Sequence, residues 1–349
     1  MIQYQKVCLA GFACELPENR VSSQEIEQRL SPLYERLHLP EGRLELMTGI
    51  QERRFWKPGT SPSTVSARAA AKLLRNTGTQ PEQIGCLVHC SVSKDFVEPA
   101  TSTVVQRELG LSKDCINFDI SNACLGMVSG IMVLANMIEL GQIDCGLAVC
   151  GENAGPLLEN TIKTLNADLS LTRQTVKSQF ASLTIGSSAA AVLLRRYSPN
   201  QGGHRLLACA SHSDCSSNHL CQGDASGGMT DLSAPLMETD SQELLQQGVK
   251  VAAGMWHKLK KVAGWTEETP DLICSHQVGK FHRKLLYKTL HLPLEKDFST
   301  FPFLGNCGSA SLPVTCALAV EEKRLQPGQN LVMLGIGSGI NAAGLAVQW

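Results

Sequence analysis

The sequence lacks an excess of charge of either sign: 31 Lys and Arg stand against 32 Asp and Glu in 349 residues, a formal net charge of −1. The basic pairs Arg53-Arg54, Arg195-Arg196 and Lys260-Lys261 are short and scattered. A nucleic-acid partner needs a concentrated basic face, so none is expected. No apolar run approaches the roughly 20 residues of a membrane-spanning helix, so no transmembrane segment is expected either. The first residues, Met1 to Gly11, lack the charged, apolar and cleavage regions of a secretion signal and read as a first strand. These absences together lead to the expectation of a soluble, cytoplasmic protein.

Among the 14 cysteines there is no Cys-x-x-Cys pair. That removes the usual redox motif and the paired half-site of a structural zinc module. Many thiols without disulfide-like spacing fit a reducing compartment. His204, Cys209, His212, Cys215, His219 and Cys221 could offer metal ligands, but Ser211, Ser213, Asp214, Ser216, Ser217 and Asn218 lie among them. A polar loop without metal is the expectation there. The turn from Gly335 to Gly339 is followed by neither a Lys nor a well-capped helix, which excludes a phosphate-cradling loop.

What is present is an alternation of short apolar runs with helical patterns, sometimes in duplicate. Ile116 to Ile120 leads through Asn122 and Cys124 into an Ala/Met/Leu-rich helix that stops at Gly141, then a strand at Leu147 to Cys150. Phe301 to Phe303 leads through Asn306 and Cys307 into a helix from Leu312 to Leu325, then a strand at Leu331 to Leu334. Asn122 and Asn306 each lie 25 residues before the respective strand. Earlier strands, Ile84 to His89 and Asp271 to His276, precede each segment. The pattern predicts an α/β fold of mainly parallel sheets covered by helices, in two related halves, 1–196 and 197–349.

Cys124 sits where the first of these strands turns into its helix. Unpaired N–H groups and the positive dipole end at a helix start favour a thiolate, so this corner suits a nucleophile. Gly126, Ser129, Gly130 and Ala135 let that helix approach its neighbours closely, as a central element does. Glu152, just past a strand end, is expected to pin the core or an interface rather than to act on substrate.

Cys124, His276 and Asn306, in this order, with Gly335-Ile336-Gly337-Ser338-Gly339-Ile340-Asn341 near the end, resemble the thiolase superfamily. Within it the chain resembles the 3-oxoacyl-ACP synthase III-like branch over essentially its whole length. The specific segments are Asp119 to Gly126, Ser275-His276-Gln277-Val278-Gly279 and Gly305-Asn306-Cys307-Gly308-Ser309. Leu33 to Leu37, Gly42 to Ile50, Glu52 to Trp56 and Asp95-Phe96-Val97-Glu98-Pro99-Ala100-Thr101 further resemble the OleA-type acyl-CoA condensing enzymes.

The resemblance implies a thiolase-like α-β-α-β-α layered fold and an acyltransferase that performs a Claisen condensation. Cys124 would hold one acyl group as a thioester. His276 and Asn306 would donate hydrogen bonds to the enolate oxygen of the second substrate, and the backbone N–H groups of Cys124 and Ser338 would form the other oxyanion hole. Ser338 departs from the glycine frequent there, yet still supplies an N–H. Glu98 would remove the α-proton from within a partner subunit's site, which implies a homodimer, coenzyme A thioesters as substrates and no cofactor. In an alternative reading, a decarboxylating 3-oxoacyl-ACP synthase III takes malonyl groups from acyl carrier protein and leaves Glu98 without a role. A catalytically silent acyl-binding paralogue is the third reading. Met127, Met132, Leu183 and Phe303 are expected contributors to an apolar tunnel.

Overall fold

In a computed structural model the described residues are all but 200–201, 224–236 and 277. Gln277 of the histidine motif therefore lies outside them. Ten strands form the main sheet path: β1 (Val7–Glu15), β2 (Cys86–His89), β3 (Ile116–Asp119), β4 (Cys145–Glu152), β5 (Ser188–Arg196), β6 (His204–Ser213), β7 (Leu272–Ser275), β8 (Asp297–Phe298), β9 (Asn330–Gly337) and β10 (Asn341–Gln348). Their spatial order is β3-β2-β4-β5-β1-β6-β10-β9-β7-β8. Adding five to each label of the first half and reversing the order gives the second half. A strand order of this kind is a topological duplication, with β1 and β6 meeting at its centre through Cys8, Leu9, His204 and Arg205.

Six helices complete the layers: α1 (Pro62–Thr77), α2 (Thr101–Leu109), α3 (Gly126–Glu139), α4 (Ser241–Ala263), α5 (Lys280–Leu290) and α6 (Ser311–Glu321). The helices α1 and α2 pack on one outer face, against Leu87, Leu147 and Leu193 of the first half-sheet. On the opposite outer face α4 and α5 cover Ile273, Val332 and Leu334. Between the half-sheets, α3 and α6 share one core with Val88, Val192, Cys274 and Met333. The fold is the expected five-layer α-β-α-β-α stack. Central strands buried on both faces carry continuous apolar runs, and Ala189 to Leu194 of β5 are wholly buried.

Helix ends follow local chemistry. Ser61 caps α1 by accepting from Thr64 N–H, Pro62 takes the first turn, and Gly78 closes it at φ 65°. Asp240 caps α4 in the same way through Glu243 N–H, and Gly264 ends it. Gly141 stands at φ 73° just past α3, as its place in the sequence predicts.

Four expectations are corrected. The sheet is mixed: β2 runs parallel to β3 and β4, and β7 to β8 and β9, but β1, β5, β6 and β10 pair antiparallel. The segment from His204 to Ser213 is strand β6 at the centre of the sheet, with Leu206, Ala208, Cys209 and Ala210 buried, so the polar loop does not begin until Asp214. Phe301 to Leu304 is a helical turn with Pro302 in its first turn, and the strand before it is Asp297–Phe298. Helix α6 ends at Glu321, four residues before Leu325, and Lys323 beyond it has φ 55°.

The duplication also has a register different from the one that equal 25-residue spacing implies. The turns Ala123–Leu125 and Gly308–Ala310, the starts of α3 and α6, and both ends of β4 and β9 are all offset by 185 residues. Asn122 therefore corresponds to Cys307, and Cys124 to Ser309. The backbone agrees, because Ala123 (φ 44°) and Gly308 (φ 54°) occupy the same left-handed corner.

Candidate active site

Cys124 lies in the short 3-10 turn Ala123–Leu125, and the α-helix proper begins two residues later at Gly126. Close approach explains that glycine: a Cβ at position 126 would stand 2.1 Å from the carbonyl oxygen of Cys90. At the half-buried Cys124 burial opposes the helix start. Desolvation, followed by the Glu152 carboxylate and then Cys221, pushes its thiol up to about 12. Burial here outweighs the dipole of a helix that starts after the sulfur-bearing residue.

His276 follows β7 and donates its backbone N–H to the Leu334 carbonyl at 2.8 Å, which ties it to β9. It is 3% exposed, and its Nδ1 has no hydrogen-bond partner among the described residues. Desolvation, with a smaller contribution from His282, pushes it down to about 3. The ring is therefore neutral at physiological pH and carries one N–H.

Asn306 sits between Gly305 (φ 68°) and the second corner. Its backbone N–H donates to Thr184 O at 2.9 Å, and its carbonyl accepts from Gly186 N–H at 2.9 Å. Its side-chain Oδ1 accepts from Gly308 N–H at 3.0 Å and from Ser311 Oγ at 3.4 Å. A backbone N–H can only donate, so the atom facing it must be the amide oxygen, and the NH2 group is left to donate. Arg53 backs this turn. It is wholly buried, its Cβ packs against Gly186 and Gly305, and its Nη1 donates to Ser23 Oγ at 2.8 Å.

Ser338 is half-buried in the turn between β9 and β10. The preceding Gly337 stands over the start of the Cys124 helix: a Cβ there would lie 3.6 Å from Cys124 N and 3.5 Å from Leu125 N. Beside this point, a cavity of about 300 Å³ runs along α3, lined by Leu125, Ser129, Met132, Asn136, Ser213 and Asn341 among others. It adjoins Cys124 without including it. Met132 is the one expected tunnel residue on its wall, while Met127 and Leu183 are fully buried in the core.

Glu98 stands apart from these groups. It is exposed near the tip of the loop between β2 and α2, beside Phe96 and Val97, each 54% exposed. The base of that loop is pinned. Asp119 accepts from Thr101 and Ser102 N–H at one end, each at 2.9 Å, and Asp95 accepts from Ser63 N–H at 2.9 Å. At the other end Glu152 accepts from Val92 N–H at 2.9 Å and Ser93 N–H at 3.0 Å.

Two residues of this site were not singled out for it in the sequence. Ser309, wholly buried, accepts from Met127 N–H at 2.9 Å through Oγ and donates its own N–H to Glu152 Oε1 at 3.2 Å. Glu152 thus touches both halves. The corner offset of 185 residues was the signal that would have found Ser309 as the counterpart of Cys124. Among the described residues no three His, Cys, Asp or Glu side chains converge as a metal site, and no helix is long and apolar enough to cross a membrane.

Two stretches of the chain match models of one known protein family. Residues 118–215 match the 3-oxoacyl-(acyl-carrier-protein) synthase III model, and residues 261–349 match its C-terminal model. The chain belongs to this family. It is accordingly a condensing acyltransferase of the thiolase-like fold. It is 40% identical to an acyl-CoA:acyl-CoA alkyltransferase of Shewanella oneidensis, with all of both chains covered. It is 34% identical to one of Xanthomonas campestris, with 99% of each covered. Its structure is similar to that of a cysteine-to-serine variant of Xanthomonas campestris OleA with bound lauric acid and lauroyl-CoA. The TM-score is 0.93 and the identity 33%, over 99% of this chain and 100% of that one.

Proposed function

We propose that this synthase III family member condenses two fatty acyl-CoA molecules without decarboxylation, as a homodimer in which Glu98 enters the partner's site. The observation that carries the reading is Glu98 itself: an exposed carboxylate, flanked by exposed Phe96 and Val97, on a loop whose base is held by three carboxylates. Apolar residues displayed on an anchored loop favour insertion into another molecule. The open outer edge of β3, where Ile116 is 48% exposed, supports a second copy as that molecule. The names of the relatives favour acyl-CoA at both substrate positions.

In this reading the sulfur of Cys124 attacks the carbonyl carbon of the first thioester and coenzyme A leaves as its thiol. Glu98 of the partner takes an α-proton from the second acyl-CoA. The developing enolate oxygen receives hydrogen bonds from the Asn306 NH2 group and from His276. The α-carbon then attacks the Cys124 thioester, and the cysteine sulfur is expelled and regains a proton, in net balance the one that Glu98 removed. The product is a 2-alkyl-3-oxoacyl-CoA, so each cycle consumes two acyl-CoA and releases one coenzyme A. During both attacks the tetrahedral oxygen on the Cys124-bound acyl group is held by the N–H groups of Cys124 and Ser338. No cofactor takes part.

Purified enzyme given a long-chain acyl-CoA alone should release coenzyme A continuously and form the β-keto product. Strict dependence on malonyl-ACP would select the decarboxylating alternative instead. Glu98→Ala should reduce release to a single burst, one equivalent per Cys124, because acylation survives and condensation does not. Loss of the burst as well would remove Glu98 from the role of base.

A further inference from the structure

We infer that Glu152 is a positioning residue that sets the Glu98 loop against the Cys124 and Asn306 corners through one buried carboxylate. The inference rests on the condensation reading above. Glu152 is 5% exposed, and its carboxylate accepts from three backbone N–H groups and from the Ser93 side chain. Oε1 takes Val92 and Ser309, and Oε2 takes Ser93. Val92 and Ser93 begin the loop that carries Glu98. Ser309 directly follows the left-handed corner at Gly308, three residues after Asn306, and its Oγ accepts from Met127 N–H in the first turn of α3, just after Cys124.

Glu152 therefore joins the Glu98 loop to the Asn306 corner across the two halves of the fold, and Ser309 extends the link to the helix after Cys124. Neighbouring contacts reinforce the same joint. Asn153 N–H donates to Ser93 Oγ at 3.1 Å, Gly151 N–H donates to Ser91 Oγ at 2.7 Å, and Trp56 Nε1 donates to the Glu152 carbonyl at 2.9 Å. Burial raises the carboxyl's pKa, but the three N–H donors oppose it, as they stabilise the anion that accepts from them. A group serving only the core would not need both of its oxygens aimed at loop backbone. Replacing the carboxylate by an amide keeps the shape but sets an NH2 group against one of the N–H donors, so one anchor is lost and the loop or corner shifts.

The test compares Glu152→Gln and Glu152→Asp with wild type, using palmitoyl-CoA alone and following coenzyme A release from burst to steady state. For Glu152→Gln the burst amplitude should remain near one per Cys124, while the steady rate falls at least tenfold. The melting temperature reports folding, and Glu152→Asp, which keeps the charge on a shorter arm, serves if the amide variant does not fold. Steady rates within twofold of wild type, or burst and steady rates reduced by the same factor, overturn the inference. If wild type itself gives only a burst, the condensation reading has failed instead.

Discussion

At pH 8 the Cys124 thiol should be almost wholly protonated. Burial pushes it up to about 12 from an ordinary 9.0, and Glu152 acts in the same direction. The thiolate fraction falls tenfold for each pH interval below the pKa, so about one molecule in 10,000 carries it at pH 8, against about one in ten for an unperturbed thiol. Alkylation of free enzyme by limiting iodoacetamide, read as the modified Cys124 peptide by mass spectrometry, measures this directly. Exposed Cys215 in the same sample reports on the reagent. The logarithm of the Cys124 rate should climb with a slope near one from about pH 7 to about pH 10, without a plateau. A plateau below about pH 9 would refute the reasoning, because it would mean that the helix start outweighs burial.

Asn306→Asp replaces the donating NH2 by an acceptor at the point of enolate charge, so steady condensation should fall by about 100-fold or more while the acylation burst persists. Equal loss of both would place Asn306 outside the enolate site. Gly126→Ala drives a Cβ into the Cys90 carbonyl and should cost about 1–3 kcal/mol in urea unfolding; an unchanged midpoint would contradict that close approach. His276 and His89 are buried and neutral, pushed down to about 3 and about 4, chiefly by desolvation. Their folded values lie below the unfolded one, so the unfolded chain binds more protons as pH falls. Stability should be full above about pH 6.5 and decline on acidification by up to about 1.4 kcal/mol per pH unit for each ring. A midpoint that rises between about pH 7 and about pH 5 would reverse the sign of that linkage.

Cys124 and His276 could be picked out because each follows a short apolar strand, and Asn306 because of the Gly305-Asn306-Cys307-Gly308-Ser309 segment that carries the family resemblance. Strand direction was less legible. A strand buried on both faces carries the same apolar run in either direction, as Ala189 to Leu194 show. One clue was available: only Ser338 to Ile340 separate β9 from β10, too few residues for a parallel crossover. Strand β6 was hidden by its own end, where Ser211 to Ser213 merge with the polar residues that follow. Phe301-Pro302-Phe303 has strand-like composition, but proline in the first turn suits a helix start. The place of Glu152 in the site was out of reach, because its partners are chiefly backbone N–H groups, at positions 92, 93 and 309, that any residue but proline would supply.

The 185-residue register changes what the duplication explains. Both halves contain the same left-handed corner, and each puts a different residue after it: a thiol at Cys124 in one, a hydroxyl at Ser309 in the other. Ser309 Oγ does not face its own substrate site but accepts the N–H of Met127, at the start of the helix that follows Cys124. A helix start has few unpaired N–H groups, and this one already serves the opposite half. That contact connects the fold to the thiol's chemistry. The duplication brings the second corner against the first and occupies part of the helix terminus that would have favoured a thiolate. Burial acts in the same direction and pushes the Cys124 thiol up.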